Sequence, residues 1–171
     1  MACEISAGRD SACKDGLGGQ STLYLYNRLS DAFTILDGEA TAMNVLLDEA
    51  FAFPLEGDGN TLEQSMVGDR NTGSKVNTQT LTTVLKSMDA ATNAQFNLLV
   101  AGYPQAVVVD RNGNHIALGL DDGIDFTVVA STGGAKSDMN GYTLTGVAMT
   151  RDLAPLLDAS TVTAFEAVVQ P

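Results

Sequence analysis

The sequence predicts a mainly β fold, an antiparallel β-sandwich or barrel with one flanking α-helix at about residues 90–101. Two observations carry most of that. Turn signals recur through the C-terminal half as Asp110-Arg111-Asn112-Gly113, Leu118-Gly119, Asp122-Gly123, Thr132-Gly133-Gly134 and Asn140-Gly141. Between them lie short alternating segments at 106–110, 114–119, 124–130 and 142–150. Asn-Gly readily adopts the positive backbone angles of a tight hairpin, so each such pair flanked by alternation reads as a hairpin.

The elements follow in order. Residues 1–20 hold four glycines and little periodicity, which predicts an extended N-terminal arm. In 21–27, Leu23 and Leu25 alternate with Tyr24 and Tyr26, the two-residue period of a strand. Segments 33–36 and 39–46 flank Asp37-Gly38 as a hairpin, and Phe51 and Phe53 alternate with alanines in a strand ending near Pro54. Glycine-rich 55–74 reads as a protruding, partly strand-like loop in which 63–67 pairs back. The threonine-rich 75–88 reads as a long strand with neither face cleanly polar, which predicts packing on both sides.

Ala90 to Ala101 is the one clear helix. Asp89 is the natural cap, with Thr92 and Gln95 as an alternative capping box one turn later. Gly102 and Pro104 end it. Its apolar residues span most of the circumference, which predicts cover on two sides. The main β domain then runs over 21–150, and 151–171 is a C-terminal extension in which 162–169 forms a last strand or a docking arm.

Composition narrows the function. A chain of 171 residues is one domain with room for a real core, and its net charge is −12. That charge argues against a nucleic-acid binder of the ordinary kind, which needs a basic face for phosphates. The N-terminus carries Glu4, Arg9 and Asp10 where a signal peptide needs an apolar stretch, which predicts an unprocessed product made inside the cell. Cys3 and Cys13 are open to three readings: packed thiols, a disulfide, or a metal or intersubunit role.

No chemical motif in the sequence is complete. Gly68 to Lys75 approaches a phosphate-binding loop, but Ser74 and Lys75 stand in exchanged order and a strand follows. Asp110, Asn112, Asn114 and Asp121 imitate a calcium loop, yet His115 occupies the position that needs Gly. Asp121, Asp122 and Asp125 read as a solvated strand end. His115 is the only histidine, so no Ser has an evident base beside it. The expectation is therefore no enzyme, no catalytic residue, no metal and no cofactor.

Longer segments carry a resemblance. Met1-Ala2-Cys3-Glu4-Ile5-Ser6-Ala7-Gly8-Arg9 is followed by Cys13-Lys14-Asp15 and Gly18-Gly19. Further on come Ala90-Ala91-Thr92, Asp110-Arg111-Asn112-Gly113, Leu118-Gly119 and Asp138-Met139-Asn140-Gly141-Tyr142-Thr143-Leu144-Thr145. In their order and spacing these resemble the tail tube (major tail) protein family of tailed bacteriophages. The resemblance implies a β-sandwich whose long hairpins contribute to an oligomeric inner β-barrel. Six copies would close a ring, and stacked rings would form the hollow tube that conducts the genome during ejection. It places 75–88 and a partner strand in 42–55 on the inner wall, docks 55–74 on the next ring, and sends 1–20 to a neighbour. Arg9, Lys14, Glu56, Asp58, Asp69 and Arg70 become candidate inter-ring or subunit contacts. Asp48, Glu49 and Glu63 become candidate lumen or surface acids that repel DNA. Implied partners are further copies of the chain, other tail and connector proteins, and passing DNA held without specificity, with no membrane; the implied location is the virion tail, assembled in the host cytoplasm. Two alternatives stand beside it: another phage-particle ring such as a tail terminator or connector, and an extracellular β-sandwich binding module. The latter expects an aromatic platform, and aromatic residues make up only 6% here.

Overall fold

A computed structural model of the chain describes Ile5, residues 7–10 and residues 13–170. The described chain runs β1 (Gln20–Tyr26), β2 (Phe33–Leu36), β3 (Glu39–Met43), β4 (Ala50–Pro54), β5 (Thr61–Asp69) and β6 (Ser74–Lys86). It continues through α1 (Ala90–Ala101), β7 (Gln105–Asp110), β8 (His115–Leu118), β9 (Asp125–Ser131) and β10 (Gly141–Thr150). β11 (Leu156–Leu157), α2 (Ala159–Glu166) and β12 (Val169–Gln170) complete it. The strands form two sheets, an eight-stranded one in the order β12-β4-β1-β7-β8-β11-β3-β2 and a four-stranded one in the order β5-β6-β10-β9. The fold is the mainly β sandwich with a flanking helix that the alternation predicts.

One core lies between the sheets, where Leu23, Leu25 and Val108 meet Leu81, Phe126 and Leu144, with Phe96 of α1 closing one side. A second lies across the eight-stranded sheet, where Tyr26, Phe33, Val107 and Ala117 surround Phe165 of α2. β1 and β7 are therefore covered on both faces, and this is why β7 reads Ala-Val-Val-Val without a polar break. Part of the interface between the sheets is polar. Asn77 Nδ2 lies 3.1 Å from Gln64 Oε1, 3.2 Å from Thr150 Oγ1 and 3.1 Å from the Asp152 carbonyl. Gln79 joins Thr150 at 3.1 Å and accepts from the Gly119 N–H at 3.0 Å. These amides tie residues 150–152 to the sheet as a connected network.

Several turns form as their chemistry requires. Asp37 and Gly38 take φ of 52° and 86°, the two positive angles of a two-residue hairpin joining β2 and β3. In the Asp110 turn the carboxylate accepts the N–H groups of Asn112 and Asn114, both at 2.8 Å. That accounts for the calcium-like spacing: the acid is committed to the turn. Asp89 caps α1, accepting from Thr92 N–H at 2.8 Å, so the alternative box one turn later is not used.

Other expectations are corrected. Residues 61–69 are a full strand paired with β6 from Thr61↔Thr82 to Asp69↔Ser74, not a loop with a short return. A strand of the alternating pattern extends as far as the partner offers backbone groups. Asn140-Gly141 is not a tight turn: Gly141 already pairs with Lys86 and Ser131, and a Cβ there would collide with the Leu85 carbonyl. Segment 162–169 is mostly α2, capped by Asp158, with only Val169–Gln170 in a strand. The partner expected for 75–88 within 42–55 is absent, because β4 pairs with β1 and β12 in the other sheet. β6 is packed on one face only, through Asn77, Gln79, Leu81 and Thr83. In α1 only Phe96 is buried, while Leu98 and Val100 are 68% and 51% exposed, so the described residues supply no second cover. Cys13 is exposed and so is not a packed thiol; Cys3, and with it any pairing of the two, lies outside the described residues.

Candidate assembly surface

The alternation of the four-stranded sheet sorts its residues cleanly by face. Leu62, Gln64, Leu81, Leu144 and Phe126 point to the core, and their sequence neighbours point away from it. Registers Glu63↔Thr80, Val147↔Thr80 and Val147↔Asp125 set a row straight across all four strands, and Thr61↔Thr82, Thr145↔Thr82 and Thr145↔Thr127 set the next. The outward face is dominated by threonine, with Thr78, Thr80, Thr82, Thr143, Thr145 and Thr127 at its centre. Its acids are Glu63, Asp125 and, at the far end of β5, Asp69, and Lys86 stands on the same face at the end of β6. A valine and methionine fringe, Val67, Val129 and Met149, is 62%, 55% and 64% exposed.

This face has two open edges. Among the described residues β5 hydrogen-bonds only to β6, and β9 only to β10. Soluble β proteins usually guard such edges with lysine, proline, a bulge or short length. β5 runs nine residues and β9 seven, with no lysine, proline or register break in either. Both are templates for another strand. By contrast the edges of the larger sheet are short, four residues in β2 and two in β12.

The residues singled out from the sequence fall in several places. Glu63 stands on the outward face of β5. Asp69 and Arg70 lie at the β5–β6 tip, where Asp69 accepts the Asn71 N–H at 2.7 Å and Arg70 is exposed. Glu56 pairs with Lys86 at 3.6 Å and Asp58 with Arg111 at 3.9 Å, both bracing the β4–β5 connection. Arg111 also donates to the Gly57 carbonyl at 2.8 Å. Arg9 and Lys14 are exposed in the arm, whose end is tied down where Leu17 N–H donates to Asn112 Oδ1 at 2.8 Å. Asp48 and Glu49 are exposed between β3 and β4, on the other sheet.

The remaining acids serve turns. Asp121 accepts the Arg151 N–H at 3.0 Å and Asp122 pairs with Arg28 at 3.4 Å. Among the described residues no three His, Cys, Asp or Glu side chains gather in metal-binding geometry. Hydrogen bonds from the Thr92 hydroxyl and N–H hold the Asp89 carboxyl below its usual range, and the Ala135 and Gly134 N–H groups do so for Asp138. Desolvation raises the Asp110 carboxyl, but the bonds from Asn114 and Asn112 outweigh it and leave it lowered. These are structural carboxylates, ionised and spent. No described helix is long and apolar enough to cross a membrane.

The open edges, the polar amide network and the exposed side of α1 have no signal in the local sequence. Edge position depends on which strands pair, and no local pattern encodes that. The signal for the outward face was present as the even-numbered threonines of 76–84. No family model, no curated protein and no solved structure matches this chain.

Proposed function

We propose that this protein is a virion structural protein whose copies join edge to edge through their four-stranded sheets, closing a ring that stacks into a hollow bacteriophage tail tube. The observation that carries this reading is the pair of long unguarded edges, β5 and β9, at opposite sides of one sheet. Pairing β5 of one copy with β9 of the next removes both edges at once. With the six copies that the family resemblance implies, four strands each close a barrel of about 24 strands. At about 4.8 Å between strands and a tilt of about 40°, its backbone circle is about 48 Å across. Side chains leave about 38 Å, an aqueous channel wide enough for one hydrated DNA duplex.

The outward face would then be the lumen wall. It is a hydroxyl-lined wall whose acids, Glu63, Asp69 and Asp125, outnumber its one lysine, Lys86, which pairs with Glu56 at 3.6 Å at the end of β6, so phosphates meet net repulsion. On this reading Glu63 would belong to the wall with Asp69 and Asp125, while Asp48 and Glu49 lie in the β3–β4 connection of the other sheet. The chain acts without catalysis or cofactor, in the virion tail, with other tail and connector proteins at the ends of the tube.

Negative-stain electron microscopy across a protein concentration series tests this. Hollow tubes of stacked rings are expected. Rings that never stack would replace the tube with a terminator or connector role. A monomer at every concentration, even with tube ends supplied as seeds, would refute self-assembly and favour a binding module.

A further inference from the structure

The second cover missing from α1 leaves a preformed groove. It has a volume of about 700 Å³ and lies between the exposed side of α1 and strands β1 and β4. Phe51, Leu98 and Tyr103 line it while 42%, 68% and 60% exposed. Among the described residues Arg28 is the one charged residue in its wall; it donates to the Asp121 carbonyl at 3.0 Å and pairs with the exposed Asp122 at 3.4 Å, so an incoming acid would join or replace Asp122 there.

Elsewhere the same chain displays a matching protrusion. Between β3 and β4, Val45 and Leu46 are 89% and 69% exposed. They are held out by a built turn. Asn44 N–H donates to the Ala32 carbonyl at 2.9 Å, and Asn44 Nδ2 to the Asp31 carbonyl at 3.2 Å. Asn44 Oδ1 accepts the Leu46 N–H at 3.0 Å, and Leu47 is buried beneath as the anchor. A loop fixed in this way cannot fold its two apolar tips back onto its own core. Asp48 and Glu49 follow at once, exposed and in no ion pair among the described residues. An apolar tip with two free acids faces the requirements of an apolar groove with one arginine.

We infer that the groove under α1 receives the Val45–Leu46 tip of a second copy of this chain, with Asp48 or Glu49 approaching Arg28. The tip is not in its own groove, since its exposure is that of a side chain in water. Each copy carries one groove and one tip, so the contact is heterologous unless a two-fold axis relates them, and it adds a second link to edge pairing. The inference rests on the self-assembly reading only in requiring a second copy. It needs neither a ring nor a tube. Both surfaces are formed before they meet, which spares the ordering cost that a flexible arm would carry.

Cysteine cross-linking tests it. With Cys3 and Cys13 changed to Ser, a Val45→Cys chain is mixed with a Leu98→Cys chain under mild oxidation. A cross-linked heterodimer is expected, absent when either variant is oxidised alone. Leu46→Asp on the tip should weaken association about 10-fold or more, the loss of one buried leucine. Arg28→Glu should weaken it too, and pairing it with Asp48→Lys and Glu49→Lys should restore it. Assembled protein that gives no cross-link overturns the contact and leaves edge pairing standing. Cross-linked pairs that never form rings support the contact and overturn the ring. Failure of the charge exchange to restore association removes Arg28 from the interface.

Discussion

Reversing the two central acids of the outward face, Glu63 and Asp125, asks directly whether that face is a channel wall. Neither Glu63 nor Asp125 has a hydrogen-bond or ion-pair partner among the described side chains, so Glu63→Lys with Asp125→Lys should leave the fold within about 0.5 kcal/mol. In a ring of six the wall charge changes from about −12 to about +12, two residues per copy. β6 is 13 residues long. At about 3.3 Å per residue and a tilt of about 40° it spans about 33 Å of the axis. A duplex presents one charge per about 1.7 Å, so about 20 phosphates occupy each ring. A duplex in a channel about 38 Å wide lies nearer one side, so roughly half of the lysines engage it at once, about six per ring. The slope of log affinity against log salt is then about −5, and raising salt from about 50 to 200 mM costs about 10³-fold. The assay is retention of short duplex DNA by purified assembled tubes across that salt range. Wild-type tubes should retain none, and reversed tubes should bind with the steep slope. Monomers of the same variant, with about two lysines each, should bind with a slope near −2 or not at all. Reversed tubes of normal appearance that bind no better than wild type would refute the assignment of this face to the lumen.

The C-terminal segment gives a stability test. Phe165 is fully buried, with Tyr24, Tyr26 and Phe33 rings at 5.4, 6.1 and 6.1 Å, so Phe165→Ala should cost about 3–5 kcal/mol in urea unfolding; a loss below about 1 kcal/mol would make residues 151–170 a detachable extension. Acid gives another. The carboxyls of Asp89, Asp110, Asp138 and Asp158 are lowered in the fold, so the unfolded chain binds more protons as pH falls. Their contribution is present above the unfolded value of about 3.9 and is lost as pH drops through the lowered folded values. Melting temperature should fall as pH drops below about 4, and the combined Asp89→Asn and Asp158→Asn variant, which keeps both caps uncharged, should show a flatter curve. An identical curve would remove these caps from the acid response.

What the sequence discloses here divides by the range of the interaction that decides each feature. The hairpin at Asp37-Gly38, the cap at Asp89 and the Asp110 turn are set by residues within four positions of one another, so local chemistry specifies them. The tail went the other way. Thr161 and Phe165 alternate as well with a strand as with a helix over so short a span, and α2 is decided by Asp158 as its cap and by the pocket that Tyr24, Tyr26 and Phe33 make for Phe165. Strand pairing is the least local of all. β6 pairs with β5 across a short turn but with β10 across some sixty residues, and only this second pairing leaves β5 and β9 as edges. A strand that will be an edge in solution normally carries a lysine or proline, and the segments 61–69 and 125–131 carry neither. The exposed valines and methionine on the outward face fit the same proposal: unguarded edges with an apolar fringe beside them are what pairing with a second copy would use.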